Sequence, residues 1–170
     1  MFDHSSMSHR VLIAIEVAPD TFDLYRCSWG GQQLLSKQQL YQFFDHPFFD
    51  PQLVVDLIPY GELCDHIDWL LDEVLYIITQ SAQIDRFFPV PLTIDSAIPG
   101  KNTADGPGIL VQPPSSDPTG DRLRARIDSL RAFCRLLTDR EVTDPSTLQK
   151  ATVELLSSWS QSTVISKPDS

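Results

Sequence analysis

Two kinds of apolar pattern alternate along this chain, and they predict the layers of one fold. Over residues 9–16 the run Val11-Leu12-Ile13-Ala14-Ile15 is apolar on both faces of a strand, which predicts a central, doubly covered position in a sheet. Residues 22–29 mix polar and apolar positions in alternation, as a half-buried strand does. Pro19-Asp20 between the two is a turn pair, and Gly30-Gly31 frees the chain to leave the sheet. Residues 8–31 therefore read as a β-hairpin. A second β-branched run covers 73–79, with 82–88 as its partner across Gln80-Ser81, and 53–58 suits a short extended segment.

The helical period appears in three places. Leu63, Ile67, Leu70 and Leu71 make one stripe over 59–71, with Asp65, Asp68 and Asp72 on the opposite side and facing water. Leu123, Ile127, Leu130, Cys134 and Leu137 are spaced four, three, four and three, which predicts a helix over 121–140 with one continuous seam. Asp144 is placed to cap a further helix with Pro145 in its first turn, carrying Leu148, Leu155, Leu156 and Trp159. A weak helical pattern covers 32–46, and the prolines at 47 and 51 make the next stretch irregular.

The fold class that follows is α+β: an antiparallel sheet of about four strands, helices on one face and a C-terminal helical hairpin. The expected organisation is a flexible leader at 1–8, a single domain over 9–159 and a polar, frayed tail over 160–170. Within the domain, seven prolines and four glycines between 89 and 120 predict a long loop with room for only a short strand at 109–111.

Charge changes this picture. The chain carries 23 acidic and 13 basic residues, a net charge of −10, with aspartate outnumbering glutamate 18 to 5 and only four lysines against nine arginines. Short carboxylates with few lysine stems suit a protein kept soluble in concentrated salt, where charge is screened over about 3 Å at 1 M, and equally suit an ordinary acidic cytosolic protein. Cys27, Cys64 and Cys134 are isolated and odd in number, which fits reduced thiols. No apolar run approaches the roughly 20 residues of a membrane span, and residues 1–10 lack the pattern of a signal peptide. The expected location is the cytoplasm.

The segment Ser8-His9-Arg10-Val11-Leu12-Ile13-Ala14, with Asp23-Leu24-Tyr25-Arg26 and Ser28-Trp29-Gly30 after it, resembles the opening of an uncharacterised family of small haloarchaeal proteins. Asp65-His66-Ile67-Asp68, leading into Glu73-Val74-Leu75-Tyr76-Ile77-Ile78, resembles a later segment of that family. The resemblance implies a saline environment and brings no catalytic assignment.

Candidate chemistry is sparse. No phosphate loop, dinucleotide fingerprint, nucleophile elbow or zinc-protease helix is present in the sequence. Cys64 and His66, two apart on a predicted helix, point to different sides, so neither metal nor cofactor is expected. His9 and Arg10 head the first strand, and with Glu16 and Asp23 they are the candidates for a small hydrolase or nuclease-like site. Six arginines lie between 122 and 140, and Arg124, Arg131 and Arg135 fall close together on the helix beside Leu130. These four residues are the candidate partner-binding set, for a protein or a second copy of the chain. With a net charge of −10, nucleic acid ranks below protein as the partner, and a DNA-associated regulator is the weakest reading. The expected function is a non-enzymatic interaction or regulatory module of a halophilic microbe.

Overall fold

In the computed structural model, residues 9–29, 51–69, 71–92, 107–141 and 144–165 are described. The chain is α+β, and among the described residues seven strands follow the order β3-β2-β1-β4-β5-β6-β7. These are β1 (His9–Ala18), β2 (Thr21–Trp29), β3 (Gln52–Pro59), β4 (Asp72–Ile78), β5 (Ile84–Pro91), β6 (Gly108–Gln112) and β7 (Ser162–Ile165). Two α-helices follow β6, namely α1 (Asp121–Asp139) and α2 (Pro145–Trp159). The chain divides into two compact units, 1–86 and 87–170.

The expected antiparallel sheet of about four strands is therefore corrected to a mixed sheet of seven. The parallel pair lies in the first unit. β1 pairs antiparallel with β2 on one side and parallel with β4 on the other, with Val11 opposite Val74 and Ile15 opposite Ile78. Both strands are apolar on two faces: Val11 to Ala14 and Val74 to Ile77 are all buried. Continuous burial of this kind is the mark of parallel strands, and between β1 and β4 the described chain carries β2, β3 and a 3₁₀ segment.

That 3₁₀ segment, Tyr60–His66, replaces the longer helix expected over 59–71. Leu63 and Ile67 are buried as their spacing implies, but Leu71 is 54 % exposed. Past the end of the 3₁₀ segment, aspartate carboxylates share the backbone amides. Asp68 N donates to Asp72 Oδ2 at 2.8 Å and Leu71 N to Asp68 Oδ1 at 3.1 Å, which offers the backbone an alternative to helical bonding.

β3 lies at an edge of the sheet and pairs with β2 through two shifts of register. Leu57 sits in one of them at φ 52°, two-thirds exposed at 66 %. Its amide donates to Asp23 Oδ1 at 3.0 Å. Irregular pairing of this sort keeps an open edge from templating further strands.

In the second unit β6 is central, antiparallel to the end of β5 and to β7. The predicted Pro/Gly-rich loop over 89–120 thus contains the strand that organises its unit, and Pro89 and Pro91 take part in β5. Residues 162–165, expected to fray, form β7. The Thr163-Val164-Ile165 run carries the β-branched signal for it. α1 and α2 pack against each other with Cys134 Sγ 3.6 Å from Thr152 Oγ1, and Asp144 caps α2 by accepting from Thr147 N at 3.2 Å. The leader at 1–8, the weak helix at 32–46 and the irregular stretch at 47–50 lie outside the described residues.

Candidate functional site

Strand geometry decides whether His9, Arg10, Glu16 and Asp23 can act together. Arg10 and Glu16 are six residues apart on β1, and at about 3.3 Å per residue they stand roughly 20 Å from each other. Glu16 is occupied at its own end: Oε1 accepts from Asp20 N at 3.2 Å and Oε2 from Gln80 N at 2.9 Å. One carboxylate thereby ties the β1–β2 turn to the β4–β5 turn. Asp23 holds the Leu57 amide, as described above. His9 begins β1 opposite Trp29. Among the described residues no hydrogen bond or ion pair joins Arg10 to Glu16 or Asp23, and Glu16 and Asp23 accept from backbone amides.

Arg10 belongs to a different group, which includes two residues the sequence pattern leaves without a role. Asp72 is 2 % exposed and receives Arg26 in a fork, Nε to Oδ1 at 3.0 Å and Nη2 to Oδ2 at 2.8 Å. Arg10 Nε approaches Asp72 Oδ1 at 3.4 Å, and Arg10 Nη1 approaches Asp68 Oδ2 at 3.5 Å. Arg26 also donates to the carbonyl of His66 at 3.1 Å, tying β2 to the 3₁₀ segment. Two arginines meet two aspartates, so the group is close to neutral and its acceptors are filled. Asp72, expected to face water with Asp65 and Asp68, is instead buried. The available signal was the pair of arginines on strands beside apolar neighbours: a half-buried guanidinium needs a carboxylate.

Cys64 and His66 both lie in the 3₁₀ segment, and among the described residues no group of three or more His, Cys, Asp or Glu is placed to hold a metal ion. Burial pushes the thiol of Cys27 up to about 12, and burial with the neighbouring Asp65 pushes that of Cys64 up to about 11. Neither is a ready nucleophile at neutral pH, because the thiolate is the reactive form.

On α1 the apolar seam turns inward. Leu123, Ile127 and Cys134 are buried, and Leu130 and Leu137 are half-buried. The arginines divide. Arg124 lies over the Phe88 ring at 4.9 Å. Arg131 is half-buried, and burial together with the neighbouring Arg135 lowers its pKa against the pull of Asp128. Arg135 is exposed.

A second row on α1 points outward. Arg122, Arg126, Ser129, Phe133, Leu136 and Arg140 are spaced four, three, four, three and four, and all six are exposed. Phe133 at 55 % and Leu136 at 46 % form its centre. Arg140 stays in line because its amide donates to Leu136 O at 3.2 Å, continuing the helical bonding by one residue. Arg126 is held over the Trp159 ring at 5.5 Å. Among the described residues this row unites the exposed apolar centre of α1 with cationic ends. No described helix is long and apolar enough to cross a membrane. No protein-family model, curated protein or solved structure matches this chain.

Proposed function

We propose that the chain is a non-enzymatic protein-interaction module of a salt-adapted cytoplasm, and that it works through the outer row of α1. The carrying observation is the exposure of Phe133 and Leu136 side by side on a helix whose other apolar seam is already buried. Each is about half covered already, so burying the rest contributes about 0.8–1.5 kcal/mol per side chain, roughly half the value of a full burial. The hydrolase reading loses support from the wide separation of Arg10 from Glu16, and the DNA reading from the internal roles of Arg124 and Arg131.

The test compares tagged wild-type chain with a Phe133→Asp, Leu136→Asp variant at equal expression in the native cell. Both positions are exposed, so circular dichroism should be unchanged. Quantitative mass spectrometry is expected to find proteins depleted by about tenfold or more from the variant. Identical recoveries from the two chains would sink the proposal.

The salt-adapted part rests on the net charge of −10 and on aspartates such as Asp56, Asp65, Asp121, Asp128 and Asp139, all exposed. It draws further support from the resemblance to a haloarchaeal family. Screening their repulsion should raise the thermal unfolding midpoint by about 5 °C or more between 0.1 M and 2 M potassium chloride. A midpoint that is flat or falls with salt removes this part of the reading.

A further inference from the structure

We infer that the outer row of α1 receives an acidic amphipathic helix of a partner protein. The inference rests on the reading of α1 as the interaction surface and adds the chemistry of what binds there. Arg122 and Arg126 stand before the apolar centre and Arg140 after it, and the row contains no carboxylate. The exposed acids of the helix, Asp121, Asp128 and Asp139, are separated by seven and eleven residues and so share a different side. The acids of α1 thus lie off this row, on the side that also carries Arg124, Arg131 and Arg135. In a chain of net charge −10, a carboxylate-free row with three arginines is a local inversion of sign.

The spacing describes the partner. At 1.5 Å of rise per residue, Arg126 lies roughly 10 Å before Phe133 and Arg140 roughly 6 Å beyond Leu136. A helix lying along the row would place one or two apolar side chains against Phe133 and Leu136. Its glutamates or aspartates, one to two turns to either side, would meet the guanidinium groups, whose planar fork accepts a carboxylate in two bonds. Trp159 holds Arg126 ready for this role.

Other occupants meet opposition. A second copy laid antiparallel across Phe133 and Leu136 brings Arg140 within a turn of its copy's Arg126. A parallel copy sets each arginine against itself. Like charges so placed disfavour the pairing. An anionic bilayer is repelled by the rest of the chain at net −10.

The experiment uses the full chain and three fluorescein-labelled helical peptides of the length of α1. All three carry the same central leucines, flanked by glutamate, glutamine or lysine. Anisotropy titrations are run at the lowest potassium chloride concentration that retains the folded circular dichroism spectrum. The glutamate peptide is expected to bind about tenfold more tightly than the glutamine peptide, and the lysine peptide most weakly. Arg122→Gln with Arg140→Gln should erase the ranking, while Phe133→Ala with Leu136→Ala should weaken all three. Equal affinity for the three peptides overturns the acidic partner but keeps the interaction surface. Failure of all three to bind overturns both. Binding to phosphatidylglycerol vesicles in place of the glutamate peptide assigns the row to a membrane and overturns the inference. A dimer in light scattering that is lost with Phe133→Ala assigns it to a second copy, with the same result.

Discussion

An Asp72→Ala chain is expected to lose about 3 kcal/mol of stability, read as a lower urea midpoint at unchanged slope. Three interactions end on this one carboxylate: the fork from Arg26, the approach of Arg10 Nε and the amide of Asp68. Removing it leaves two guanidinium groups, each with a quarter of its side chain exposed, facing a site that holds no other buried carboxylate among the described residues. Their partial access to water keeps the loss below the value for a fully enclosed pair. Asp72→Asn retains an acceptor for the Asp68 amide and should cost less. In a double-mutant cycle, Arg26→Met with Asp72→Ala should recover part of the deficit, because no uncompensated charge then remains. A cost below about 0.5 kcal/mol for Asp72→Ala would show that the network does not hold β1, β2 and β4 together.

Gly120→Ala is expected to be nearly as damaging, by about 2–4 kcal/mol, for a different reason. Gly120 precedes α1 at φ 73°, where a side chain is strained. A Cβ there would stand 2.5 Å from Cε2 and Cζ of Phe88. The ring has nowhere to retreat, since Phe88 is 3 % exposed and carries the Arg124 guanidinium on its face. The same turn sets the start of the helix: Asp117, buried, accepts from Leu123 N at 2.9 Å, and Gly120 O accepts from Arg124 N at 2.8 Å. Thermal melts should therefore show a lower midpoint and reduced helix content. Gly61→Ala is the control, because a Cβ there meets nothing within 4 Å and its effect should be neutral or slightly stabilising. Equal effects of the two substitutions would refute the packing argument.

How much of this was legible depends on how local each cause is. The β1–β2 hairpin and the inward seam of α1 follow from residues within a few positions of one another, and periodicity finds them. The pairing of Val11 with Val74 does not, because nothing near either residue specifies the other. The doubly apolar character of both runs was the clue, and a preference for hairpins between neighbours in sequence hid it. Asp72 shows the same limit on the side of charge. Its partner Arg26 lies 46 residues away, so a carboxylate aligned with exposed neighbours by helical spacing turns out to be the buried one. The outer row of α1 was present in the sequence at the same spacing as the inner seam. Which row turns outward was decided by Leu123 and Ile127, against whose burial the exposed Phe133 stands out only once the helix is placed.

The parallel partnership of β1 also sets an order of events in folding. The β1–β2 hairpin closes through a short turn, a microsecond process. The other edge of β1 pairs with β4, which is distant in sequence, as the Val11–Val74 pair shows, so a long loop must close before it forms. Until that loop closes, the amides and carbonyls along one side of β1, an apolar strand, lie open to any other chain with an unpaired edge. Crowding during refolding should thus favour aggregation through β1, and dilution should restore yield without any change in final stability.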